Sequence, residues 1–404
     1  SSFIKNLHNI DLLSSLNMAI STPPIAMGIA TAAAVGMVAL TMKRRREQKV
    51  AEYMKAWQLS SYDSDPAAAI DTLTLEENVP TPSEIGPNQI LLKVEYASVN
   101  PIDWKLFSGG LHGNCPVASF PYTPGFDVGG TVQGVGAEVS NLAVGDKIIA
   151  NTGLVESCTD PAPTPGGPAG AFAQYAAVPA ELCVKVNGMD LKTVVGLPLA
   201  GLTSYQALFT GVGSSFNGEP LGDAKEGSKV LILGAAGGVG CLAIQMAKKA
   251  KCHVAVTAST SKMPNDSSMT KIDFVKSLGA DVVIDYQKEN WATVLAGQEY
   301  DMIYDCVGAM EDLTEHAPKV LKKGGAFVSI ANFDPSSKST DDVRFCVFFI
   351  KSNSEELQSL VTMVKDGDLT VPIDSEYKFS EVKEALKRSI GGRSVGKILI
   401  KIDH

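Results

Sequence analysis

The chain has 404 residues and a formal net charge of −9, with 35 Lys and Arg against 44 Asp and Glu. That length exceeds one ordinary core, so two folded units plus an appendage are expected. No basic block follows residue 46 and aromatics do not interleave with Arg or Lys, which argues against nucleic acid as a partner. The cysteines (115, 158, 183, 241, 252, 306 and 346) form no Cys-x-x-Cys, and the histidines no His-x-x-x-His, so no metal site is expected.

After an N-terminal segment (1–22), residues 23–42 run without a charge from Pro23 to Met42, and Lys43-Arg-Arg-Arg46 follows. About 20 apolar residues match a bilayer core when helical. The trailing cations place the bulk of the protein on the cytoplasm-like side of a membrane: matrix, stroma or cytosol. A single transmembrane helix is therefore expected over 23–42, with a linker over 43–54. Its Ala and Gly content leaves a signal-peptide core, a transit remnant and a helix buried in another subunit as competing readings. Gly28, Ala32 and Gly36 share one helix face that would permit close packing against a partner.

From Lys55 to about residue 188, short β-type runs alternate with Gly, Pro and Asn, as in Gln89-Ile-Leu-Leu-Lys-Val-Glu-Tyr-Ala and Asp146-Lys-Ile-Ile-Ala. A β-rich, barrel-like unit is expected there. Cys158 to Gly170 reads as a surface loop dense in Pro and Gly. Over 189–346, strands and helices alternate, which signals a doubly wound parallel sheet. Residues 347–404 return to helix and strand.

The stretch Lys229-Val-Leu-Ile-Leu-Gly-Ala-Ala-Gly-Gly-Val-Gly240 leads into Cys241-Leu-Ala-Ile-Gln-Met-Ala-Lys-Lys-Ala250. A buried strand, a tight glycine turn and an amphipathic helix in that order suit a dinucleotide: glycine backbone approaches the pyrophosphate and the helix N-terminus faces it. The next strand, Val254-Ala-Val-Thr257, leads into Ala258-Ser-Thr-Ser-Lys262 without an acid for the ribose hydroxyls. Hydroxyls and a cation suit a 2′-phosphate, so NADPH is the expected cofactor.

Several strings occur together and in order: Tyr53-Met-Lys-Ala-Trp-Gln58, Ser98-Val-Asn-Pro-Ile-Asp-Trp-Lys105, Leu197-Pro-Leu-Ala-Gly-Leu-Thr-Ser-Tyr-Gln-Ala-Leu208, Val275-Lys-Ser-Leu-Gly-Ala-Asp281 and Gly396-Lys-Ile-Leu399. With them the chain, from about residue 54 to its end, resembles the medium-chain dehydrogenase/reductase superfamily. It is most similar to the zinc-free quinone oxidoreductase branch, near the chloroplast-envelope quinone oxidoreductase homologues and alkenal/enone reductases. The resemblance implies an α/β fold: a Rossmann-type doubly wound sheet (189–346) plus a GroES-like β-rich domain (55–188, completed by 347–404).

Alcohol dehydrogenases of this superfamily carry zinc ligands where Asn100 and Phe126 stand here. The resemblance therefore implies a zinc-independent oxidoreductase passing hydride from NADPH to a quinone or an α,β-unsaturated carbonyl, and the span at 23–42 would tether it to a membrane. Asn100 and Lys105 are candidates for binding the acceptor's carbonyl oxygen as charge develops on it, with Asp103 either orienting Lys105 or holding the turn. Tyr205 and Thr203 match positions near the nicotinamide. Gly237, Gly238 and Val239 match the pyrophosphate turn, and Val307, Gly308, Asn332 and Lys397 the nicotinamide half. Ser259 matches the 2′-phosphate site. An insertion, Met263 to Thr270, repeats Ser-x-x-Lys, so Lys262 or Lys271 could meet that phosphate. The envelope-type likeness favours chloroplast over mitochondrion. The alternative expectation is a nucleotide-binding accessory subunit of a membrane complex with little turnover, and a homodimer is the other expected assembly.

Overall fold

The computed structural model describes residues 50–108, 120–152, 170–186, 188–211, 214–215, 222–334 and 336–404. The expected span at 23–42 and most of the Pro/Gly loop at 158–170 lie outside them. Among the described residues, no helix is long and apolar enough to cross a membrane. The chain from Glu52 to His404 forms one unit, built on two seven-stranded sheets and a two-stranded ribbon.

The ribbon pairs β1 (Tyr53–Gln58) with β2 (Thr74–Pro80) around a short helix, α1 (Pro66–Thr72). Strand already begins at Tyr53, so the linker expected over 43–54 ends earlier than its sequence suggested. Met54 and Ala56 alternate inward and pack on Ala173, a period-2 pattern that the adjacent polar run masks.

The β-rich sheet has the order β15-β16-β3-β4-β5-β7, with β6 also on β3. Its members are β3 (Gln89–Val99), β4 (Asp127–Val135), β5 (Lys147–Asn151), β6 (Tyr175–Pro179), β7 (Cys183–Lys185), β15 (Ile373–Lys378) and β16 (Lys397–Lys401). The C-terminal strand β16 is thus interior to a sheet made mostly by residues far upstream. Register places Ile398 opposite Val99 and Asp127 opposite Ser98. Lys397, Asn100 and Asp127 therefore meet at one end of the sheet. A short helix, α2 (Pro101–Lys105), leaves β3 at that end.

The second sheet holds β9 (Lys229–Leu233), β10 (His253–Ala258), β11 (Val282–Asp285), β12 (Tyr300–Asp305), β13 (Leu321–Ser329) and β14 (Val343–Phe349). These six are parallel in the order β11-β10-β9-β12-β13-β14, and β8 (Ser214–Ser215) adds an antiparallel edge. Counted from β9 this is the 3-2-1-4-5-6 order of a doubly wound dinucleotide fold. Both faces are covered, as a parallel sheet requires. On one face, α3 (Pro198–Tyr205), α4 (Gly240–Lys249), α5 (Lys271–Ser277) and α8 (Ser354–Lys365) bury Leu202, Leu242, Ile244, Val275 and Leu360. On the other, α6 (Trp291–Val294) and α7 (Ala317–Val320) bury Trp291 and Val320 against Ile303 and Phe327. The last helix, α9 (Val382–Ile390), joins the core of the β-rich sheet through Val382, Ala385 and Leu386.

Candidate active site

Strand order reverses between β9 and β12, which opens a crevice at their carboxyl ends where open α/β sheets bind ligands. The glycine turn leaves β9 there. Gly234 takes φ +74°, a left-handed conformation that a side chain disfavours. Its N–H donates to Thr257 Oγ1 (3.1 Å), and Ala236 O accepts from Gly396 N (3.1 Å). The glycines differ in what they face. A Cβ on Gly240 would stand 2.6 Å from Ala235 Cα, so that glycine lets α4 close onto the turn. A Cβ on Gly238 would meet Gly396 O and Lys397 Cδ, both at 3.1 Å, whereas one on Gly237 would meet only Gly234 O at 3.4 Å. Gly237 is thus the member with open space before it. Val239 is half-buried, and its carbonyl accepts from Ser204 Oγ (3.0 Å).

Across the crevice, Asp305 knits β12 to β13. Its Oδ1 accepts from Val307 N (2.8 Å) and Gly308 N (3.0 Å), and its Oδ2 from Ser329 Oγ (2.6 Å). Burial pushes the Asp305 carboxyl up and these hydrogen bonds pull it back. Gly308, at φ +91°, lies against Ala331, whose backbone a Cβ would approach to 2.8 Å. Next to it, Asn332 is buried: its Oδ1 accepts from Asp334 N and Ser337 Oγ (both 3.1 Å), and its Nδ2 has no partner. A buried amide donor without an acceptor calls for one.

The β-rich sheet contributes the turn from Asn100 to Lys105. Asp103 Oδ2 accepts from Asn100 N (2.7 Å), closing a capping box on α2. Asp103 therefore holds the turn, the second of its two expected roles. Lys105 leaves that helix with Nζ 5.9 Å from the Trp104 ring and 5.7 Å from the Phe333 ring. Phe333 follows Asn332, so a lysine of one sheet meets the strand end of the other, and burial lowers the Lys105 pKa. Phe333 was missed from sequence, since a lone aromatic in a loop carries no periodicity.

Asn100 sits differently from the expectation. Its Nδ2 donates to Asp127 Oδ2 (2.8 Å) and Ser98 O (3.3 Å), and its Oδ1 accepts from Lys397 Nζ (2.5 Å). At 1% exposure its amide is spent inside the protein. Lys397, expected at the cofactor, likewise points inward, and its Nζ also donates to Val99 O (3.2 Å). Thr203 Oγ1 bonds back to Leu199 O (2.7 Å), and Tyr205 packs edge-on against Phe209 with centroids 5.4 Å apart. No described contact joins Thr203 or Tyr205 to Lys105.

At the end of β10, Ser259 is buried. The two lysines beyond it part company. Lys262 is exposed near Asp266 and Asp273, whose carboxyls are held low first by hydrogen bonds from Ser268 and from Thr270 and least by Lys262. Lys271 starts α5, which Thr270 caps. Its Nζ donates to Arg393 O (3.2 Å), and its pKa is lowered by burial first and then by Arg388. Asp374 is committed, bidentate to Arg388 (2.9 and 2.7 Å) and accepting from Val395 N (2.7 Å). The insertion docks here too, through Asn265 Nδ2 to Ile373 O (3.1 Å) and Asp374 O (2.5 Å). A surplus of positive charge thus gathers at Lys271 and Arg393. Arg393 was missed because it is distant in sequence.

Residues 86–188 match the alcohol dehydrogenase GroES-like domain family, and residues 278–400 match a family described as zinc-binding dehydrogenase. A 2-methylene-furan-3-one reductase of Solanum lycopersicum is 34% identical over 86% of this chain and 79% of that protein. The chain belongs to the medium-chain dehydrogenase/reductase superfamily. Within it, the chain groups with quinone and enone reductases. A chloroplastic NADPH-dependent alkenal/one oxidoreductase of Arabidopsis thaliana is 32% identical over 88% of this chain and 81% of that protein. Among solved structures, the quinone oxidoreductase from Coxiella burnetii superposes with a TM-score of 0.69 at 28% identity, covering 87% of this chain and 99% of that one.

Proposed function

We propose that this medium-chain reductase passes hydride from NADPH to a quinone or an α,β-unsaturated carbonyl without zinc. The observation that carries the reading is the meeting of Lys105 with Phe333 beside Asn332, whose buried Nδ2 lacks a partner, past the carboxyl end of β13. The residues fit the cofactor. Gly237 leaves room for a pyrophosphate, Lys271 and Arg393 with Ser259 supply charge and a hydroxyl for a 2′-phosphate, and Asn332 Nδ2 awaits a carboxamide acceptor. NADPH, when bound, supplies the hydride. Lys105 then hydrogen-bonds the acceptor's oxygen as negative charge grows there, and its lowered pKa makes it the better proton donor. Phe333 and Trp104 offer flat apolar faces to a planar acceptor.

The donor set at the family's metal position does not fit zinc. Phe126 packs with Leu106, Ile102 and Leu199. Asp127 accepts from Leu199 N (2.8 Å) and Asn100, and Lys397 Nζ stands 3.6 Å from its Oδ2. An amine already occupies the place a dication would need.

The domain assignment we favour is 55–188 around the acceptor and 189–346 around the cofactor. Of the segment 347–404, expected to complete the first, only β15, α9 and β16 do so, because β14 and α8 pack with the dinucleotide sheet. The uncharged run at 23–42 supports a tether, and the chloroplastic relatives support that organelle. Purified protein should oxidise NADPH when given 1,4-benzoquinone or a short alkenal, and the full chain should stay with membranes through alkaline extraction. Turnover with none of a quinone and alkenal panel would sink the reductase reading, and release into the wash would sink the tether.

A further inference from the structure

We propose that Lys397 is a positioning residue of the reductase site, acting through Asn100 and Asp127 to set where Lys105 stands. This inference rests on the reductase reading above. Three side chains make a closed triangle: Lys397 Nζ to Asn100 Oδ1 (2.5 Å), Asn100 Nδ2 to Asp127 Oδ2 (2.8 Å), and Asp127 Oδ2 to Lys397 Nζ (3.6 Å). All three are almost wholly buried, at 3%, 1% and 0% exposure. The triangle leaves Asn100 no choice of amide orientation, because its oxygen must face the donor and its nitrogen the carboxylate.

Each corner ties down a different part of the site. Asn100 starts α2, which ends in Lys105. Asp127 Oδ1 accepts from Leu199 N (2.8 Å) in the first turn of α3. Lys397 follows Gly396, whose N–H reaches Ala236 O in the glycine turn (3.1 Å). The triangle therefore locks the lysine-bearing turn to the glycine turn and to α3, parts drawn from both sheets. A shift of the backbone turn that carries Lys105 would strain the triangle.

Stability alone is a weak reason to bury these groups. Replacing a buried amine and carboxylate by neutral groups of similar size is often neutral or stabilising, whereas removing one member leaves the other without its counterpart. Burial favours the neutral form of both Asp127 and Lys397, and their mutual attraction opposes it. Whichever of the two holds the shared proton, Nζ keeps a hydrogen to donate to Asn100.

The test is the double variant D127N/K397M, which removes both charges and keeps the volumes. K397M alone strands a buried carboxylate and serves only as the unstable control. Three quantities are measured on the full chain: the unfolding midpoint, the dissociation constant for NADPH by fluorescence quenching, and kcat and KM for 1,4-benzoquinone. The expected result is a double variant that still folds, with NADPH affinity within about twofold and kcat/KM for the quinone down about tenfold or more. Unchanged turnover in the double variant overturns the inference while leaving the reductase reading intact. So does a double variant that fails to fold, which assigns the triangle to stability. An unmodified chain that binds NADPH and turns over no acceptor overturns both.

Discussion

Asp103 shows how one buried side chain couples the site to pH. Burial, more than any neighbouring charge, pushes its carboxyl up to about 8. An unfolded aspartate titrates near 3.9, about four units lower. The folded chain therefore keeps a proton that the unfolded chain releases. The stability from this group is complete below about pH 4, declines as pH rises, and is lost once pH passes about 8. The slope in that window is about 1.4 kcal/mol per pH unit. D103N keeps an acceptor for Asn100 N and has nothing to ionise, so its unfolding free energy should vary less between pH 5 and 8. Denaturant titrations at several pH values measure this, and equal slopes for the two proteins would refute it. Sequence reasoning left Asp103 two roles, and only the capping-box distance chose between them. Asn100 was expected at the acceptor, and its commitment to Lys397 was not legible, since 297 residues separate the two.

Among elements, the glycine turn was the most legible, because strand, turn and helix are contiguous and the glycine spacing is local. What each glycine does was less so. Gly240 is a packing glycine and Gly237 an open one. G240A should push α4 off the turn and destabilise the fold by about 1–3 kcal/mol. G237A should cost well under about 1 kcal/mol while weakening NADPH binding about tenfold or more, because its methyl enters the space a pyrophosphate needs. Chemical denaturation and NADPH titration of both variants separate the two effects. A G237A protein with full affinity would remove the turn from the cofactor site. Strand ends were legible only to within a residue or two. β1 starts inside the expected linker, where polar residues hide a half-buried ribbon.

At the scale of the whole molecule, the two lysines of the repeated Ser-x-x-Lys differ in the charge that distant segments assemble around them. Lys262 is exposed near Asp266 and Asp273, whereas Lys271 lies beside Arg388, Asp374 and Arg393, with Asp374 already bidentate to Arg388. K271A should therefore lower kcat/KM for NADPH about tenfold or more and leave NADH within about threefold. K262A should change the NADPH value by less than about threefold. Steady-state kinetics with both cofactors decide it, and the reverse ranking would return the 2′-phosphate to Lys262. Asn265 adds that the insertion is a clasp, fastened to β15 beside that same charge.

Patterns that repeat over neighbouring residues were settled by the sequence itself: alternating strands and helices, a glycine turn between strand and helix, and ordered strings that resemble one superfamily. Such signals survive in one dimension because they arise from local backbone geometry and period. The partners of buried polar groups were decided by the tertiary structure. Lys397 reaches Asn100, Lys105 reaches Phe333, and Lys271 reaches Arg393 only because β16 inserts beside β3 and the two sheets share a cleft. A buried amine must find whatever acceptor the fold brings within reach, and no local pattern encodes which one that is.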